Sequence, residues 1–105
     1  MTFLPDVAGT FELGCLHMTS LVFGATCRHP DFASFVRASI ARHHVCDWGD
    51  SYPDDAALND AALQIGGRLL SVYKLPQGLD SLESRIWIIT ELDRSSTTVL
   101  FPSEY

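Results

Sequence analysis

The sequence predicts one α+β domain spanning residues 1–105, with two helices packed on a small, mainly antiparallel sheet in the order β-α-α-β-β-β. Three observations predict it. A chain of 105 residues can bury one core and has no room for two. Hydrophobic residues make up 47% and aromatic ones 10%, enough apolar surface to drive collapse without staples. Along the chain, the apolar pattern changes from helical spacing in the middle to strand-like alternation in the last third.

The elements follow in order. Thr10 to Phe23 predicts extended structure, because Phe11, Leu13 and Cys15 alternate with Glu12 and Gly14, and Leu21-Val22-Phe23 is β-prone. A helix is expected at about Pro30–His43. Pro30 suits its first position, Asp31 its positive end, and Phe32, Phe35, Val36 and Ile40 form one stripe. Arg37, Arg42, His43 and His44 favour its C-terminal half. The loop Cys46-Asp47-Trp48-Gly49-Asp50 leads to Ser51-Tyr52-Pro53-Asp54, spaced as a capping box with Ser51 as N-cap. The second helix should run to about Ile65, bury Leu58, Ala61, Ala62 and Ile65, and stop at Gly66-Gly67. A strand meander closes the chain: Leu69–Leu75, a loop over Pro76–Ser84, Arg85–Leu92, the turn Asp93-Arg94-Ser95-Ser96, and Thr97–Phe101.

Charge and cysteine usage bound the function. Acidic residues outnumber basic ones 13 to 7, a formal charge of −6, which argues against direct nucleic-acid binding. The apolar run Met18–Ala25 is too short to cross a bilayer, so no membrane association is expected. Met1-Thr2-Phe3-Leu4-Pro5-Asp6 lacks the basic start of a secretion signal. Cys15, Cys27 and Cys46 are an odd number without framework spacing, as expected for reduced thiols in the cytoplasm. No phosphate-binding loop, dinucleotide fingerprint, nucleophile elbow or zinc-protease motif is present, and no cofactor is expected.

Four groups of side chains could carry chemistry. His43, His44, Cys46 and Asp47, with Cys27 and His29 before the same helix, invite a metal, but they lack the spaced ligand pairs that close on one ion. No metal site is therefore assigned. Cys27 precedes a predicted helix start, where a thiol is activated, yet no orienting third group accompanies His29, so no catalytic residue is assigned. The carboxylates Asp47, Asp50, Asp54, Asp55 and Asp60 lie in a stretch without Lys or Arg between Arg42 and Arg68. They form either a negative patch for a basic partner or an ordinary solvated helix start. Trp48 within that run is either a core anchor or an interface hot spot. At the hairpin tip, Asp93 and Arg94 form either a second contact point or a self-satisfied turn.

From Asp47 onward the chain resembles a family of small bacterial proteins carried on plasmids and other mobile elements, described as plasmid-related. The resemblance rests on Asp47-Trp48-Gly49-Asp50, Leu69-Leu70-Ser71-Val72-Tyr73 and Ile86-Trp87-Ile88-Ile89-Thr90-Glu91. It continues through Asp93-Arg94-Ser95, Thr97-Thr98-Val99-Leu100 and Pro102-Ser103-Glu104-Tyr105. Some members are labelled as type I restriction endonuclease subunit M, but this chain lacks the Gly-rich cofactor loop and the large sheet domain of a methyltransferase. The family usually has Gly where Cys46 stands, and a shorter loop before the Trp87 strand. The resemblance implies a mobile-element origin. Together these readings lead to the expectation of a non-enzymatic, acidic module that binds a protein partner with a basic surface. One concrete version is an inhibitor of host defence of anti-CRISPR or anti-restriction type. The partner-binding candidates are Asp47, Trp48, Asp50, Asp54, Asp55, Asp93 and Arg94. The rival is a small cysteine- and histidine-dependent enzyme or metal-binding protein.

Overall fold

The computed structural model describes residues 11–79 and 82–105, and has the α+β architecture that the sequence predicts. Its elements are β1 (Cys15–Met18), α1 (Ser20–Arg28), α2 (Pro30–His44), α3 (Pro53–Ile65), β2 (Leu69–Lys74), β3 (Arg85–Thr90) and β4 (Ser96–Leu100), followed by a 3-10 turn at Pro102–Glu104. The four strands lie in the order β1-β4-β3-β2. β1 is parallel to β4, and the other pairs are antiparallel.

Three helices replace the expected two. Of the segment expected to be extended, Cys15–Met18 is a strand, Ser20–Arg28 is helical, and Thr10 lies outside the described residues. The reason is local: the Thr19 hydroxyl accepts the Val22 N–H at 3.2 Å, and this cap turns the chain into α1 despite the β-prone Leu21-Val22-Phe23. α1 then buries Val22 and Ala25 against α2.

α2 occupies nearly its expected span and buries Phe32, Val36, Ser39 and His43, one stripe at helical spacing. With α1 it covers one face of the sheet. Phe32 stacks on Phe101 at 5.8 Å, and Val22, Ala25, Phe32 and Val36 share a core with Tyr73, Ile86, Ile88 and Val99. A second, smaller core holds Trp48, Ala62 and Leu69, with Phe11, Cys46, Ala56 and Leu63 packed on it.

α3 keeps its expected length but not its expected cap or face. Ser51 does not cap it. The Ser51 hydroxyl donates to the Trp48 carbonyl at 2.8 Å, Tyr52 holds the N-cap position without a side-chain bond, and Pro53 starts the helix. Ala62 is buried as expected, whereas Leu58, Ala61 and Ile65 face outward, Ile65 being 84% exposed. The buried residues of α3 are Asn59 and Ala62. A short face suits a helix lying against the edge of β2, where the Asn59 amide bonds main chain: its Nδ2 donates to the Leu70 carbonyl at 2.7 Å, and its Oδ1 accepts the Leu70 N–H at 3.1 Å.

The loop before α3 closes the rest of that edge. The Val72 N–H donates to the Trp48 carbonyl at 3.3 Å, and the Asp50 N–H donates to the Val72 carbonyl at 2.6 Å. The Lys74 N–H donates to the Asp50 carboxylate at 2.9 Å. Gly49 makes the approach possible: at φ 71°, any β-carbon would sit 2.2 Å from the Val72 carbonyl oxygen.

Candidate functional site

The sequence-predicted candidates occupy two kinds of place. Trp48 is in the core, 7% exposed, with its indole N–H donating to Asp60 at 3.0 Å. It is the anchor of its loop and offers no exposed ring to a partner. Arg94 is likewise turned inward. Its guanidinium donates to the carbonyls of Gly67 at 2.7 Å, Glu91 at 3.1 Å, and Leu92 and Ala62 at 3.3 Å, tying the hairpin to the C-terminus of α3. Neighbouring Asp93 is exposed and accepts the Ser95 N–H at 3.0 Å. Hydrogen bonds from Ser95 hold its carboxyl below the usual carboxylate range.

Asp47 and Asp50 are exposed but committed to the fold. The Arg42 guanidinium grips Asp47 with two bonds, of 2.7 and 3.1 Å, and the Gly49 N–H adds a third at 3.1 Å. The bond from Arg42 lowers the Asp47 carboxyl, and the bond to Asp47 raises the guanidinium in turn. Both side chains are about half exposed, so the pair contributes little to stability beyond fixing the loop. Asp50 seals β2 as described. Asp54 and Asp55, in the first turn of α3, are exposed.

The histidines and cysteines are dispersed. Cys27 sits at the C-terminal end of α1, not in a loop before a helix start, and is exposed like Cys15. Burial, together with Asp60, pushes the Cys46 thiol up. Among the described residues no three His, Cys, Asp or Glu side chains come together closely enough to hold a metal.

His43 is buried and saturated. The Thr97 hydroxyl donates its one proton to the Leu13 carbonyl at 2.7 Å, so it accepts from Thr90 at 2.7 Å. Thr90 has then used its proton and accepts from His43 Nε2–H at 2.9 Å, which leaves Nδ1 to accept from Ser71 at 2.6 Å. The chain Ser71–His43–Thr90–Thr97–Leu13 is therefore ordered end to end and needs a neutral ring. Burial, aided by His44, lowers the His43 pKa to about 4. The network links α2 to β2, β3 and β4, and leaves neither ring nitrogen open to a ligand.

The other face of the sheet is partly covered: Leu70, Val72 and Trp87 are half-buried, and Ile89 and Leu100 are buried. The strands alternate, so Leu69, Ser71, Tyr73, Ile86, Ile88, Thr90, Thr97 and Val99 face the helices, while Leu70, Val72, Trp87, Ile89 and Leu100 point away from them. Among the described residues no helix packs on this second face. Two hollows lie on it and share Leu70 and Trp87. One is completed by Arg68, Ile89 and Tyr105, the other by Val72, Arg85, Tyr52, Asp50, Ser51 and Asp55. Tyr105 meets Trp87 edge-on at 5.4 Å, and Arg68 donates to its hydroxyl at 2.8 Å. Tyr52 stands 75% exposed on the acidic rim.

Sequence reasoning missed this face. A signal was there: Ile86-Trp87-Ile88-Ile89 is apolar on both sides of a strand, the pattern of a sheet that buries both faces. The arrangement defines an α+β protein whose second sheet face carries an aromatic hollow between Trp87 and Tyr105. Comparison with protein-family models, with curated proteins and with solved structures finds no match to this chain. Among the described residues no helix is long and apolar enough to cross a membrane.

Proposed function

We propose that the chain is a non-enzymatic binding module that docks a protein partner with a basic rim at the two hollows around Leu70 and Trp87. The observation that carries this reading is the make-up of those hollows. Trp87, Tyr52 and Tyr105 with Arg68 and Arg85 are the residue types that dominate interface energetics, set around Leu70 and Val72. Charge chooses the partner. Asp50 and Asp55 line the rim, Asp54 adjoins it, and the chain carries a formal charge of −6. A basic surface is steered to such a rim and fixed by the apolar centre. One concrete form is an inhibitor of host defence, of anti-CRISPR or anti-restriction type, whose carboxylates occupy a surface built for nucleic acid. The proposed setting is the cytoplasm of a host of mobile elements, where the thiols stay reduced.

The test is quantitative capture from a bacterial lysate at low salt, comparing the natural chain with Val72→Lys. Val72 lines the acid-rimmed hollow on β2, and the fold of the variant is checked by circular dichroism. Specific partners should bind the natural chain and lose about thirtyfold in affinity with the variant, roughly 2 kcal/mol. A folded variant that retains its partners would reject this face as the docking site.

A further inference from the structure

The two edges of the sheet are treated differently. Along β2, the outward main-chain groups of Leu70 and Val72 and the Lys74 N–H are bonded by Asn59, Trp48 and Asp50. At the opposite end, among the described residues, β1 has β4 on one side only. The Cys15 N–H donates to Ser95 at 3.0 Å and the Thr19 N–H to Val99 at 3.1 Å. A ladder alternates, so the N–H and C=O groups of Leu16 and Met18 point away from β4. Among the described residues nothing bonds them. Of the usual guards of an edge, Cys15–Met18 has only its shortness, four residues, with no lysine or proline.

We propose that β1 pairs antiparallel with β1 of a second copy of this chain, across a two-fold axis through His17. Register supports a copy as the occupant. With the axis at His17, Leu16 of one copy faces Met18 of the other, and both are the outward-facing residues. Each such pair exchanges two hydrogen bonds, so the seam closes with four and leaves none of these groups unpaired. Charge supports it as well. Two chains of formal charge −6 repel least where they meet on an uncharged surface, and residues 13–27 contain no Asp, Glu, Lys or Arg. Leu16 and Met18, 46% and 37% exposed, share the face of Thr97 and Val99, so pairing would continue the helix-covered side of the sheet. A four-residue seam is smaller than the roughly 1,200 Å² of a stable interface, so the dimer is weak and reversible.

Sedimentation of the full chain from about 5 to 500 µM should show a monomer–dimer equilibrium with a dissociation constant on the order of 100 µM, as for small transient contacts. Met18→Lys, which keeps the β1–β4 ladder, should raise that constant at least about tenfold with an unchanged thermal midpoint. Leu16→Lys replaces it if the midpoint falls. Register is read by cross-linking in a Cys15→Ser, Cys27→Ser background. His17→Cys lies opposite itself at about 4.5 Å between α-carbons and should oxidise to a linked dimer. Leu16→Cys, more than about 7 Å from its counterpart, should not. A chain that is monomeric at about 500 µM overturns the proposal in favour of an edge closed within the chain or by another protein. A dimer indifferent to both lysines, or one that links as readily through Leu16→Cys, overturns it in favour of a different interface.

Discussion

Single side chains in this protein do more to join elements than their residue types announce. His43 belongs to a run of basic residues that suits a helix C-terminus, yet it is the residue through which α2 meets three strands. Its pH dependence follows from burial. The folded value of about 4 lies below the ordinary 6.5, so the unfolded chain binds more protons between those values. Stability should be full above pH 6.5, fall as pH drops through that window, and level off near pH 4. The full loss is about 3 kcal/mol. Urea unfolding at pH 7 and pH 4.5 measures it. His43→Gln, whose amide can donate to Thr90 and accept from Ser71 without titrating, should show a much flatter profile. Trp48 is the second such residue. Trp48→Ala should cost about 3–5 kcal/mol, because it empties the smaller core around Ala62 and Leu69. An unchanged urea midpoint would remove the indole from its anchoring role. Neither role is written in residue type: an imidazole or an indole in a polar run becomes a core group only through contacts made far along the chain.

At the scale of elements, propensity and periodicity located most of the fold. α2 and the three meander strands stand close to where the apolar spacing places them, because each buries a face against neighbours that also obey the pattern. α1 and the face of α3 were not legible. α1 has only nine residues, too few to be stable alone, and owes its helicity to the Thr19 cap and to packing on α2. α3 offers the apolar stripe of Leu58 and Ile65 but buries Asn59 and Ala62, because small and amide side chains allow it to approach the edge of β2. That reversal is measurable. Asn59→Ala leaves the Leu70 N–H and C=O without their amide partner and should cost about 2 kcal/mol. Ile65→Lys should change stability by less than about 0.5 kcal/mol. Thermal unfolding of the pair checks both, and equal effects would contradict the placement of α3. The acidic run Asp47–Asp60 divides the same way: composition identified the loop at its start, but not that Asp47, Asp50 and Asp60 spend their carboxylates on Arg42, the Lys74 N–H and Trp48.

At the scale of the molecule, α1 and α2 cover one face of the sheet, and the other carries two hollows around Trp87, with acids on the rim of one. The remaining free carboxylates there, Asp54 and Asp55, are the ones that can meet a partner without disturbing the fold. Asp50 is excluded from such a test, because reversing its charge would break the bond to the Lys74 N–H and open the β2 edge. In Asp54→Lys/Asp55→Lys the helix start of α3 loses favourable charge, and stability should fall by only about 1 kcal/mol in all. Binding to a basic partner should weaken about tenfold at roughly 50 mM salt, where the Debye length exceeds the reach of a side chain. At about 500 mM salt the natural chain and the variant should bind alike, since screening removes what the reversal removes. Val72→Lys should behave differently, weakening binding at both salt concentrations, because it disrupts apolar contact inside the hollow. Titration of an identified partner at the two salt concentrations separates the contributions. A salt-independent effect of the aspartate reversals would show that they act by distorting α3. An Asp54→Lys/Asp55→Lys variant that is folded and binds normally at low salt would take the acidic rim out of the interface and leave the aromatic centre as the sole determinant of docking.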